Sequence, residues 1–192
     1  MGILDLFRKS KDEVHGAKVL VCTCDSRFND LLQADSDVYG RHYRATSTEV
    51  LPNMQALLGR LEGKYDIVHL LADVSETGTI RDAEGQEVMG TELIQRCCDH
   101  SVKLLWSASD NPPDRYIKGF EARGKRLNLV MTLQRKGPNF PTFLQNILSR
   151  MAYGETMPVA WNAICSQIPG SEHKDVPDSI FFAGRGGVRL LA

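Results

Sequence analysis

The sequence predicts an α/β domain: a three-layer α/β/α sandwich around a mostly parallel central sheet, with a β-hairpin near 78–88. Three observations carry that expectation. Short apolar runs rich in β-branched residues recur at 17–25 (AKVLVCTCD), 65–74 (YDIVHLLADV), 102–110 (VKLLWSASD) and 127–133 (LNLVMTL). Strands covered on both faces have that composition. Stretches with helical spacing of apolar residues lie between these runs, so strand and helix alternate along the chain. Finally, "GTIRDAEGQEV" at 78–88 sets the polar turn DAEG between two β-like arms.

Each element has its own local warrant. After the first strand, "SRFNDLLQA" reads as a helix with Asp25 or Ser26 as its N-cap. "YGRHYRATS" at 39–47 carries a weak alternating signal for a strand. Within 47–64, Leu51, Met54, Leu57, Leu58 and Leu61 fall at helical spacing, and Gly63 ends the helix. A helix over 90–100 opens at Thr91 and turns Leu93, Ile94 and Cys97 to the core, with His100 at its C-terminus. "NPPD" breaks the chain before a helix at 114–124. The segment 137–154 is a helix with Pro141 in its first turn and Gly154 at its end, and 157–168 is another. A polar loop at 169–178 leads to a last strand at 178–184, where "FFA" and the later "VRLL" look like paired strands around the turn "GRGG". Residues 1–15 read as a terminal tail or short amphipathic helix, with Ile3, Leu4, Leu6 and Phe7 as its apolar side, and 16–192 as a single domain.

Composition narrows the function. A 192-residue chain with 42% hydrophobic and 24% charged residues can bury a full core without disulfides or metals. The net charge of −1 gives the chain no overall basic excess, so no nucleic-acid partner is expected. The five cysteines are odd in number, and two of them are adjacent, so no disulfide framework is evident and a reducing cytoplasm fits. Cys22-x-Cys24 is too tight for the usual zinc spacing, and no metal is expected. Neither a P-loop nor a Gly-x-Gly-x-x-Gly motif occurs, and no cofactor is expected. No apolar stretch reaches the roughly 20 residues of a membrane span. The opening "MGILDLFRKSKDE" lacks a signal-peptide core and has Leu6 where a myristoylation pattern requires Ser or Thr.

The order "YDIVHLLADV", "GTIRDAEGQEVMGTELIQ", "VKLLWSASD", "FPTFLQNILSRMAYGETMPVAWNAI" resembles the CHAT family of caspase-like proteases across about residues 60 to 168. In that family a strand of the type D-I-V-H-F-x-G-H-G carries the catalytic histidine as its second His. A hairpin follows, and then a strand ending in N/S-A-C supplies the nucleophile. The resemblance therefore implies a caspase-like fold. It also places the base position on Asp73, with Ala72 and Val74 where the flanking glycines stand, and the nucleophile position on Ser109 in Ser107-Ala108-Ser109. His69 matches the first histidine, which is not the base. Both members of the dyad are thus replaced. A serine hydroxyl needs a well-placed base, and an ordinary Asp, with a pKa of about 3.9, is a poor proton acceptor near neutrality.

The preferred expectation is a catalytically inactive, CHAT-like pseudoprotease. It acts as a protein-binding or scaffold module in a cytoplasmic signalling or defence assembly, with a protein partner and with self-association left open. His69, Ser75, Ser107 and Asp110 are candidate residues lining the site, around the degenerate positions Asp73 and Ser109. One alternative is a hydrolase with a rewired site that uses Ser109, Asp73 and either His69 or Asp110. A Cys-to-Ser exchange made by design is a further alternative, against which Asp73 argues. The last is a flavodoxin-like or receiver-like regulatory domain, which requires Asp25 and Asp73 to converge and has no hairpin at 78–88.

Overall fold

The computed structural model describes residues 13–108, 127–132, 140–166 and 179–192. The architecture is α/β, with a central sheet flanked by helices. Its strands are β2 (Val19–Thr23), β3 (Thr46–Val50), β4 (Ile67–Leu71), β8 (Leu104–Ala108), β9 (Asn128–Thr132) and β10 (Ser179–Ala183), in the spatial order β10-β9-β8-β4-β2-β3. All neighbours are parallel except β10, which runs antiparallel to β9. A second sheet of three short antiparallel strands, β5 (Asp73–Val74), β6 (Thr79–Arg81) and β7 (Glu87–Met89), contains the expected hairpin. β1 (Glu13–His15) pairs in parallel with β11 (Arg189–Leu191).

The helices are α1 (Asn29–His42), α2 (Met54–Arg60), α3 (Gly90–Asp99), α4 (Phe140–Ala152) and α5 (Met157–Ser166). Strand alternation sends side chains to two cores. Val19, Val21, Ile67, Leu71, Trp106 and Val130 pack under α1, α4 and α5. Leu20, Cys22, Val68, Leu70, Leu105 and Met131 pack under α2 and α3. Gly154, at φ +97°, ends α4 by donating its N–H to Met151 O, while Glu155 N donates to Arg150 O.

Several local expectations change. The strand read over 39–47 begins only at Thr46, because Tyr39–His42 complete α1. Tyr39 is buried on the inner face of α1 and Tyr43 just past its end, where helical period overrides a weak alternating signal. The helix read over 47–64 divides into β3, α2 and a 3-10 turn at Leu61–Gly63. Asn53 caps α2 by accepting from Ala56 N, and Lys64, not Gly63, takes the left-handed conformation at the exit. Glu13–His15, assigned to the tail, form a strand. "FFA" and "VRLL" do not pair with each other: β10 lies on β9, and β11 lies on β1. The helix expected at 114–124, the loop at 169–178 and the basic segments at 122–126 and 135–137 lie outside the described residues. No described helix is long and apolar enough to cross a membrane.

Candidate functional site at the C-terminal rim of the sheet

Parallel strands deliver their following residues to one rim, and ligand sites of open α/β sheets form there. The buried hydroxyl of Thr23 ties that rim together. It donates to Leu71 O at 2.8 Å, joining the ends of β2 and β4, and accepts from Asp25 N at 3.1 Å. Asp25 then caps the 3-10 turn Ser26–Phe28 by accepting from Arg27 N at 2.9 Å.

The Arg27 side chain folds back over this turn. Its Nε donates to Asp25 Oδ2 at 2.8 Å, and its Nη2 donates to Asp25 Oδ2 at 2.5 Å and to Asp73 Oδ2 at 2.8 Å. The hydrogen-bonding guanidinium holds the Asp25 carboxyl below its usual range, against the opposing effect of burial. Asp73, where the resemblance places the base, is therefore an ion-pair partner of a cation that is itself two-thirds exposed. The chain reaches that position after Ala72, where it leaves the central sheet and enters β5.

His69 lies on β4 but belongs to another environment. It is fully buried, with Nε2 2.9 Å from Asp35 Oδ2 and Nδ1 3.1 Å from the Tyr39 hydroxyl, both residues of α1. The rings of Tyr39, Trp106 and Phe140 surround it. Trp106 in turn donates its indole N–H to Thr132 Oγ1 at 2.8 Å. Both imidazole nitrogens are engaged within the core, so His69 does not line the rim and has no nitrogen left for a substrate. The sequence analysis placed it among the residues lining the site and named no partner for it. The structure supplies two, and Asp35 was missed because nothing in a helix sequence marks one polar residue as inward-facing.

Ser107 sits at the other side of the sheet from His69. It is fully buried beside Leu70 in the strand register, and its hydroxyl has no hydrogen-bond partner among the described residues. It does not line the rim either. Ser75 does: its hydroxyl lies 2.8 Å from Thr77 Oγ1 and 2.6 Å from Thr79 Oγ1, and Thr79 Oγ1 donates to Glu87 Oε2 at 2.6 Å. Ser75, Glu76, Thr77, Arg81 and Glu87 line an open groove of about 400 Å³. The Thr79 hydroxyl and the Arg81 guanidinium hold the Glu87 carboxyl below its ordinary range. Ser109 and Asp110 lie outside the described residues.

The residue that positions this rim is Asp82, which the sequence reading passed over as part of a polar turn. It is nearly buried. Oδ1 accepts from Glu84 N at 3.1 Å and Gln86 N at 2.8 Å, and Oδ2 accepts from Met54 N at 3.3 Å, at the first residue of α2. Ala83 N donates to Cys24 O at 3.1 Å. The hairpin tip is thereby fastened to the ends of β2 and α2. The available signal was Asp82 and Gly85 at the first and fourth positions of a turn, with Gly85 at φ +82°.

Three buried cysteines, Cys22, Cys24 and Cys97, do not supply a substitute nucleophile. Burial raises the thiols of Cys22 and Cys97, and pushes that of Cys24 up to about 12. All three stay protonated, the unreactive form. Among the described residues no group of three or more His, Cys, Asp or Glu is placed to hold a metal ion.

No protein-family model matches the chain, and no curated protein matches it.

Proposed function

We propose that this chain is a caspase-like, CHAT-type domain without protease activity, acting as a protein-binding or scaffold module in a cytoplasmic signalling or defence assembly. The observation that carries the reading is the state of the base position. Asp73 is engaged by Arg27, which also neutralises Asp25, and the nearest strand histidine is sealed in the core by Asp35 and Tyr39. That carboxylate is committed to an ion pair, and no imidazole stands at the position to take its place. The hairpin sheet inserted between β4 and β8 supports the family resemblance, because the family carries a hairpin between its two catalytic strands.

Incubation of the full chain with peptide libraries and with whole-cell protein extracts tests the reading. No cleavage is expected. Cleavage that Ser109→Ala abolishes would sink it and establish the rewired hydrolase instead.

One observation favours a receiver-like regulatory domain: Asp25 and Asp73 converge on the same guanidinium. The five parallel strands β3-β2-β4-β8-β9 also fit that reading, and the hairpin sheet counts against it, since that reading has no hairpin.

A further inference from the structure

The central sheet ends at β3, and its outer edge has no strand on it among the described residues. Ala45 O accepts from Val19 N, and Leu51 N donates to Thr23 O. The odd-numbered residues of β3 therefore turn their backbone groups toward β2. Thr46, Thr48 and Val50 turn their N–H and C=O groups outward.

We propose that this edge pairs with a second copy of the chain, antiparallel, about a two-fold axis at Thr48. The inference is independent of the pseudoprotease reading. Three features commit the edge to that occupant. The first is its hydrogen-bond pattern. In a register that sets Thr48 against its own copy, Thr46 faces Val50 of the second chain, and every outward N–H and C=O of these three residues meets a complementary group. Shifting the register by one residue would lose this match, because the alternate residues face β2. The second feature is side-chain chemistry. Thr48 against Thr48 and Thr46 against Val50 are β-branched cross-strand pairs, which favour association. The strand lacks the lysines, prolines and bulges with which monomeric proteins protect an edge. Its one charge, Glu49, is drawn away by Arg60, whose Nε donates at 2.7 and 2.8 Å. Val50 is 53% exposed in the single chain, a cost that pairing would remove.

The third feature is α1. It packs on both β2 and β3, and Ser36 bonds Thr48 through their hydroxyls, so the helix axis lies over the gap between the two strands. At a strand spacing of about 4.8 Å, two-fold pairing would set the two α1 axes about 10 Å apart, close to the distance at which helices pack. They would run antiparallel. The first turn of one helix would then lie beside the last turn of the other. Opposite helix-dipole ends would face each other. The row of α1 beyond Ser36 is short or polar, with Asn29, Gln33 and Gly40 exposed, and it would admit a close neighbour.

Sedimentation velocity of the full chain over a concentration series tests the proposal, together with hydrogen exchange at the same concentrations. The expected result is a dimer at about 100 μM, twice the 21.4 kDa chain mass. The amides of Thr46, Thr48 and Val50 should gain protection as the dimer forms. V50K places a charge on the edge at an exposed position, and T48P removes an outward N–H while leaving the bonds to β2 intact. Each should yield a monomer with unchanged circular dichroism. A wild-type chain that stays monomeric, a dimer that survives V50K, or protection of these amides in a monomer (another segment of the chain lying on the edge) would each overturn the proposal.

Discussion

Two clusters of polar side chains, each built around a carboxylate, behave as opposites. In the core under α1, an imidazole, a carboxylate and a phenol (His69, Asp35 and Tyr39) close on one another with no exposure. At the rim, a guanidinium and two carboxylates (Arg27, Asp25 and Asp73) meet with the cation largely in water. The core cluster has the composition of a catalytic relay but no access. The rim cluster has access, and its carboxylates are occupied. Position along the strand decides which is which: His69 lies within β4, while Asp73 lies beyond the point where the chain leaves the central sheet. Residue types alone do not make a site. Access and free valence do.

Removing one partner from each cluster should separate them. Asp35→Ala leaves a buried imidazole nitrogen without its acceptor, and should cost about 3–5 kcal/mol in urea denaturation. A loss below about 1 kcal/mol would mean that the pair is not dry, and the contrast would collapse. Asp82→Ala tests whether burial, not location, sets the scale. It lies at the rim but is nearly buried, and it caps α2 as well as the hairpin turn. The expected loss is about 1–2 kcal/mol, with partial recovery in Asp82→Asn. Ser107→Ala removes a buried hydroxyl with no partner among the described residues and should stabilise the fold by about 1 kcal/mol, read from the same denaturation midpoints.

Arg27→Ala should have the smallest effect at neutral pH, because the ion pairs it makes are exposed at the cation. Its signature should appear on acidification. Asp25 is held below its unfolded value, so its contribution is complete above about pH 4 and is lost as the pH falls through the lower folded value. Melting curves of Arg27→Ala should therefore show a shallower loss of stability than the wild type below about pH 4. Parallel slopes would mean that Arg27 does not hold Asp25 in solution.

Much of the framework was legible in the sequence. The apolar runs at 65–74 and 102–110 announced β4 and β8, and the DAEG turn announced the hairpin, because period and turn chemistry are local properties. The stretch 39–47 was misread because its weak alternation competed with a helix whose inner face is decided by packing. Asp82 was visible as a turn residue but not as the cap of a helix that begins at Met54, since that bond joins segments distant in sequence.

The sequence by itself determined the class of fold, the alternation of strands and helices, and the absence of His and Cys at the two positions where the family resemblance puts its dyad. Only the tertiary structure decided what the remaining polar groups do. His69 became a core residue because α1 brings Asp35 and Tyr39 to it, and Asp73 became an ion-pair partner because the turn after β2 brings Arg27 across the rim. Hydrophobic period is written in neighbouring residues, whereas the partner of a polar side chain is chosen by whichever element the fold packs against it.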